Sequence, residues 1–285
     1  MTLVMGIVNV TPDSFADGGL YARADAAVAR GLALASDGAD LVDVGGESTR
    51  PGAERISLEE EQARVLPVIR ELAAHGIGVS IDTMNAATAR AAVEAGASIV
   101  NDVSGGLADP AMGATVAALD VDFVCMHWRA HSTHMDASDR YDDVVAEVRD
   151  ELDARVAALV AAGVGEGRIV LDPGLGFAKV TDSNWPLLAR MDEWSRGRRV
   201  LVGGSRKRFL GAAIARATSA SSPDGTTASS LVEAPGPDDR EAATIALTAL
   251  AAAAGAWGVR VHEARGSADA VRVASAWNNA AHAQG

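Results

Sequence analysis

Val79-Ser80-Ile81-Asp82-Thr83-Met84-Asn85 leads into a helix-forming segment, Ala86 to Ala95, and after Gly96 the chain turns apolar again in Ile99-Val100-Asn101-Asp102. A short β-branched run, a helical stretch and a second short run make a strand–helix–strand unit, with parallel strands and a right-handed crossover. Both runs stop at polar residues suited to chemistry. The same phrase recurs on either side: upstream as Val4 to Val10 with Asn9 and Thr11, and Leu41 to Val44 with Glu47. Downstream it recurs as Phe123 to Met126 with His127, Ile169 to Leu171 with Asp172, Val200 to Val202 with Ser205, and Gly258 to Val261 with Arg260 and His262. Eight such units predict an α/β fold of one closed (β/α)8 TIM barrel, in which the strand C-termini gather at one mouth.

A barrel of about 250 residues is the usual size, so the 285 residues read as one domain, 1–285. A composition of 48% apolar and 22% charged residues excludes wholesale disorder and supplies a large core. The formal net charge of −13 argues against nucleic acid or an anionic membrane as partner, so an anionic substrate must be met by local cations. The single cysteine, Cys125, suits a reducing compartment. The N-terminal residues show no secretory leader pattern, and the alanine-rich run Ala242 to Gly258 is too short and too polar for a membrane span. A cytoplasmic protein is expected.

Helix signals punctuate the chain. Ser57 followed by Glu60 predicts a capped helix to His75, stopped by Gly76. Other helices are expected at roughly Ala24 to Ser36, Ala111 to Leu119, Val144 to Ala162, Asn184 to Trp194, Lys207 to Arg216, Arg240 to Ala254 and Ser267 to Asn278. Thr11 to Tyr21 and Glu47 to Ser57, after strands 1 and 2, read as mobile loops over the mouth. Thr218 to Asp239 reads as a flexible excursion.

Of 25 basic side chains only Lys179 and Lys207 are lysines. Lys207 lies in Gly203-Gly204-Ser205-Arg206-Lys207-Arg208-Phe209, a turn with consecutive cations at a helix N-terminus, which suits an anion. Lys179 reads equally as site or surface. Arg260 and His262 alternate with valines on strand 8 and so share one side; with Asn9 of neighbouring strand 1 they suit a phosphate. Asp82, Asn101 and Asp172 fit a flat ligand rich in N–H donors, a divalent metal or an acid–base pair, and the residues alone leave these open. His127, His131, His134 and Asp136 invite zinc, but their loose spacing favours a loop.

Gly6-Ile7-Val8-Asn9-Val10-Thr11-Pro12-Asp13-Ser14-Phe15-Ala16-Asp17-Gly18-Gly19 and Asp43-Val44-Gly45-Gly46-Glu47-Ser48-Thr49-Arg50-Pro51-Gly52 resemble the signature blocks of the dihydropteroate synthase family. Ser80 to Thr83, Asn101 to Gly106, Asp172 to Phe177, Ser205 to Phe209 and Arg260 to His262 continue the resemblance in order. It implies condensation of 6-hydroxymethyl-7,8-dihydropterin diphosphate with p-aminobenzoate, Mg²⁺ as cofactor, sulfonamide inhibition and a homodimer. It assigns the pterin to Asp82, Asn101, Asp172 and Lys207, and the diphosphate to Asn9, Arg260 and His262, with Asn9 also serving the metal. It assigns p-aminobenzoate to Phe15, Thr49, Arg50, Pro51, Ser205 and Arg206, and catalysis to Lys207, Arg260, His262 and Asp17. On this assignment Arg260→Ala is expected to cost turnover while sparing pterin affinity. Glu263 and Arg208 depart from the commoner family residues without touching the pterin set. A corrinoid-dependent methyltransferase shares the barrel but needs no diphosphate grip; a Schiff-base aldolase would use Lys179 or Lys207; a non-catalytic paralogue would have decayed loops.

Overall fold

A computed structural model describes residues 1–11, 20–47, 55–129, 140–179, 181–220 and 234–282. Eight parallel strands, β1 (Leu3–Asn9), β2 (Leu41–Gly45), β3 (Gly78–Asp82), β4 (Ile99–Asp102), β5 (Asp122–Met126), β6 (Ile169–Asp172), β7 (Arg199–Val202) and β8 (Gly258–Val261), close in sequence order, β8 pairing with β1. The expected barrel is present, and every strand read from the sequence is a strand.

Between strands lie α1 (Leu20–Ser36), α2 (Leu58–Ala74), α3 (Ala86–Glu94), α4 (Met112–Leu119) and α5 (Val144–Ala161). The second half adds α6 (Asn184–Ala189), α7 (Met191–Ser195), α8 (Arg208–Ala220), α9 (Glu241–Ala253) and α10 (Arg265–His282). Ser57 caps α2 by accepting the Glu60 N–H at 3.2 Å, whereas the Glu60 carboxylate turns to Arg64, so only half of the expected capping box forms. The single helix expected over Asn184 to Trp194 is broken at Arg190 (φ −120°, ψ 40°) into α6 and α7.

The strand pleat divides the core in two. Met5, Ile99, Val124, Val170 and Leu201 form one buried cluster, lining the barrel interior. Their alternates, among them Val4, Val42, Val79, Val100 and Phe123, join the larger cluster that packs beneath the helices. Burying a side chain of this size stabilises by about 1.5–3 kcal/mol, so the interior layer is a solid floor, and the same parity carried toward the strand ends selects what faces the mouth. Asn9, Asp43, Ser80, Asp82, Asn101, Asp172 and Arg260 all fall on the interior parity.

Of the Thr218–Asp239 tract, 221–233 lie outside the described residues. At its ends, 218–220 finish α8, and Asp238–Arg240 form a 3-10 turn. Arg240 is buried and donates to the carbonyls of Pro235 at 2.8 Å and Arg206 at 2.9 Å, which fastens the return of the chain to the β7 turn.

Candidate active site

Arg260 on β8 reaches across the barrel interior. Its Nε donates to Asp43 Oδ2 at 2.6 Å and its Nη2 to Asp82 Oδ2 at 2.8 Å, while Asn101 Nδ2 donates to the same Asp43 oxygen at 3.0 Å. Residues expected to hold a pterin (Asp82, Asn101) and one expected to hold diphosphate (Arg260) are thus joined in one hydrogen-bonded cluster. The joint is Asp43, fully buried and without an expected role in the sequence reading. A carboxylate set between Val42 and Val44, on the same strand parity as the other polar residues, was the signal that could have found it.

Burial pushes the Asp82 carboxyl up to about 7 against the pull of Arg260, with Asp43 adding like-charge repulsion. Asp172, at the end of β6, is also raised by burial, and Lys207 is the main cation opposing this. Its Oδ1 accepts the Gly174 N–H at 2.7 Å. Lys207 is itself pushed down to about 8 by burial. Its ammonium donates to the Leu175 carbonyl and lies 4.4 Å from the Phe177 ring centre, so the β6 loop seats it beside Asp172. Carboxylates raised by burial and a lysine lowered by it make a weakly charged pocket of strong hydrogen-bonding groups.

Glycines keep the mouth open. Asn9, Gly45 and Asp82 lie abreast on β1, β2 and β3. A Cβ at Gly45 would sit 3.5 Å from Asp82 Cβ and 3.7 Å from Asn9 Oδ1, and one at Gly203 would sit 3.3 Å from Asp172 Oδ2. Among the described residues no three His, Cys, Asp or Glu side chains are grouped to hold a metal. The one hard oxygen donor expected for Mg²⁺ is the Asn9 carboxamide, and this fits an ion that keeps most of its water and is shared with substrate phosphates.

The turn after β7 differs from the expected row of cations. Arg206 adopts φ +60°, and its guanidinium is paired with Asp238 at 2.8 Å and Glu241 at 2.9 Å. Ser205 Oγ accepts the His262 N–H at 3.2 Å and lies 2.9 Å from His262 Nδ1, so the structure groups it with the residues expected at the diphosphate. A serine hydroxyl that donates to Nδ1 places the imidazole proton on Nε2.

Lys179 is buried, with Nζ 2.9 Å from His127 Nδ1, 3.1 Å from the Phe177 carbonyl and 3.3 Å from the Gly174 carbonyl. That resolves the even choice left by the sequence: the side chain belongs to the interior of the β6 loop, inaccessible to a carbonyl substrate. His127 is likewise enclosed, bonded to Glu151 at 2.9 Å; His131, His134 and Asp136 lie outside the described residues. So do Phe15, Asp17, Thr49, Arg50 and Pro51, with the central parts of both expected loops.

Residues 5–262 match the profile of the family described as pterin binding enzyme. The chain is 53% identical over 279 residues to the dihydropteroate synthase of Mycobacterium leprae, an alignment covering 97% of this chain and 94% of that protein. Two solved structures superpose over nearly the whole chain. Dihydropteroate synthase from Xanthomonas albilineans in complex with 7,8-dihydropteroate has a TM-score of 0.81 at 41% identity, covering 97% of this chain and 93% of that one. The Yersinia pestis dihydropteroate synthase with a sulfonamide drug has a TM-score of 0.85 at 33% identity, covering 98% and 94%. A family match running from the first strand to the last, and more than half identity across almost the full length of both proteins, mean that this chain belongs to the pterin-binding enzymes and, within them, to the dihydropteroate synthases.

Proposed function

We propose that the mouth described above condenses 6-hydroxymethyl-7,8-dihydropterin diphosphate with p-aminobenzoate, giving 7,8-dihydropteroate and diphosphate. The observation that carries the assignment of roles is the cluster of Asp43, Asp82, Asn101 and Arg260, because it ties a set of hydrogen-bond acceptors to a cation at the rim. Asp82 and Asp172 accept from the amino and ring N–H donors of the pterin, Asn101 supplies a carboxamide, and Lys207 donates to the ring carbonyl. One edge of the Arg260 guanidinium is spent on the two carboxylates; its Nη1 remains for the diphosphate, with His262 Nε2–H and Asn9 beside it.

In the reaction the exocyclic C–O bond breaks, its electron pair leaves on diphosphate, and the aryl amine nitrogen forms the new C–N bond and then loses one proton. An aryl amine is unprotonated at neutral pH, so the site needs to position it and stabilise the leaving charge rather than supply a strong base. Asn9 would help hold a Mg²⁺ ion, which would supply further charge neutralisation at the diphosphate. p-Aminobenzoate is placed by Ser205, Arg206 and the loop residues Phe15, Thr49, Arg50 and Pro51, with Asp17 completing the catalytic set; sulfonamides, which share its shape, compete for that place. The exposed apolar side chains Leu250 on α9 and Val273 and Trp277 on α10 support a homodimer built on this face. No helix among the described residues is long and apolar enough to cross a membrane, and a buried, unpaired Cys125 is consistent with the cytoplasm.

The test is to supply both substrates with Mg²⁺ and to follow dihydropteroate and diphosphate together. Equal amounts of the two, lost in Lys207→Ala, support the reading; a bound pterin with neither product would refute it.

A further inference from the structure

We propose that Lys179 is a positioning residue of the pterin pocket: seated on His127 and two loop carbonyls, it fixes the β6 loop and through it Lys207 and Asp172. The inference rests on the assignment of the mouth to a pterin.

A buried ammonium is costly unless every N–H finds a partner. Lys179 has three, and the structure gives it three acceptors: His127 Nδ1 at 2.9 Å, the Phe177 carbonyl at 3.1 Å and the Gly174 carbonyl at 3.3 Å. None is a carboxylate, so this is a mechanical seat more than an ion pair. His127 is held neutral by burial and Glu151 can only accept, so Nε2 carries the proton shared with Glu151 at 2.9 Å and Nδ1 accepts from Lys179. Glu151 is in turn gripped by Arg129, whose guanidinium also reaches Glu147 at 2.7 Å and stacks 4.0 Å over Tyr141. The seat is therefore anchored on the first turns of α5.

The loop it holds is strained. Gly174 (φ +67°), Gly176 (φ +73°) and Ala178 (φ +45°) alternate in the left-handed region, where a non-glycine residue persists only if its surroundings dictate it. The dictating contacts are all present. Tyr141 OH donates to the Ala178 carbonyl at 3.0 Å; Asn184 accepts the Gly176 N–H at 2.7 Å and donates to the Lys179 carbonyl at 3.2 Å; Lys179 takes the carbonyls of Gly174 and Phe177. On its other face the same loop presents the Gly174 N–H to Asp172, and the Leu175 carbonyl and Phe177 ring to the Lys207 ammonium. Every residue between the Lys179 seat and the pterin set is thus linked by a direct contact, and Lys179 acts without touching the ligand.

The experiment compares Lys179→Met, His127→Asn and His127→Leu with the unaltered chain by calorimetric titration of 6-hydroxymethylpterin and, separately, of inorganic diphosphate with Mg²⁺; circular dichroism establishes that each variant is folded. Lys179→Met is expected to weaken the pterin at least tenfold and to leave diphosphate, held across the mouth by β1 and β8, within twofold. His127→Asn keeps an acceptor near the Nδ1 position and is expected to retain most of the pterin affinity, whereas His127→Leu behaves like Lys179→Met. If Lys179→Met does not fold, the two His127 variants decide. Unchanged pterin affinity, equal weakening of both ligands, or no difference between His127→Asn and His127→Leu overturns the proposal. Failure of the unaltered chain to bind the pterin at all would instead strike the assignment of the mouth.

Discussion

Replacing Asp43 by asparagine isolates the charge at the joint of the site. The oxygen that accepts Arg260 at 2.6 Å and Asn101 at 3.0 Å is kept as an amide oxygen, and only the negative charge is lost. Asp82 feels that loss most, since both carboxylates contact one guanidinium. Two charges about 5 Å apart at an effective dielectric of about 20 repel by about 3 kcal/mol. Water reaches the cluster, the Arg260 side chain being 21% exposed, so about half of that repulsion survives. The Asp82 titration should therefore move down by about one unit. The direction for binding follows. With Asp82 raised to about 7 by burial, the carboxyl of the unaltered chain gains its proton as pH falls through about 7 and loses acceptor capacity toward pterin N–H groups. Affinity falls with it. In Asp43→Asn the fall is displaced to about pH 6, so near pH 6 the variant should bind the pterin about fivefold tighter than the unaltered chain, while near pH 7.5 the two converge. Calorimetric titration of 6-hydroxymethylpterin between pH 5 and 7.5 reads this as the difference between the two profiles, since Lys179, lowered to about 7, and Lys207, lowered to about 8, titrate in both chains. Coincident pH profiles, or a variant weaker at every pH, would refute the electrostatic role of Asp43.

Arg260→Ala removes the cation from two buried carboxylates, so the structure revises the expectation drawn from the sequence: pterin affinity should fall along with turnover, by at least tenfold at pH 7, and retained affinity in a titration would contradict the cluster. Gly174→Ala places a Cβ 2.4 Å from the His127 carbonyl oxygen at φ +67°; a loss of more than about 2 kcal/mol in urea unfolding is expected, and a smaller one would show that the loop yields. His127 is held down to about 4 by burial, below its ordinary 6.5. The unfolded chain therefore takes up the proton first, and stability falls as pH drops from about 6.5 to 4, by about 3 kcal/mol at most; His127→Leu should flatten this part of the stability curve, and an unchanged slope would exclude the residue as its source. For the proposed homodimer, Trp277→Glu should yield a monomer in sedimentation analysis, with the melting temperature largely preserved because the side chain is 76% exposed; an unaltered mass would refute this interface.

The strands were legible because each apolar run is cut by a polar residue, and the parity of those residues carries the interior assignment with it. The parity also contained Asp43, but a mid-strand carboxylate gains meaning only when the partner 217 residues away, Arg260, is known to close the barrel beside it. The Lys179 seat was illegible for the same reason: His127 lies 52 residues earlier and Glu151 sits on a helix between them. Tertiary contacts add what local rules do not hold: Arg206, a cation in a basic turn, is paired with Asp238 and Glu241, acids supplied by the far end of a tract with no periodic pattern.

That pairing bears on how a chain of net charge −13 receives a diphosphate. Many of its arginines are committed to carboxylates, among them Arg129, Arg198, Arg199 and Arg206, so the surface offers little general attraction for an anion. Inside the mouth the balance is different. Asp43, Asp82 and Asp172 face Arg260 and Lys207, and burial raises two of the acids toward neutrality while lowering the lysine. The cluster therefore sits close to electroneutral, and small shifts decide its sign. A ligand whose N–H groups donate to Asp82 and Asp172 stabilises their ionised forms, which in turn hold Lys207 protonated and Arg260 in place. On this argument the pterin should raise the affinity for diphosphate, and by reciprocity diphosphate that for the pterin. The selectivity for an anion would then come from the neighbouring ring, at the moment the ring is bound, instead of from a standing positive field.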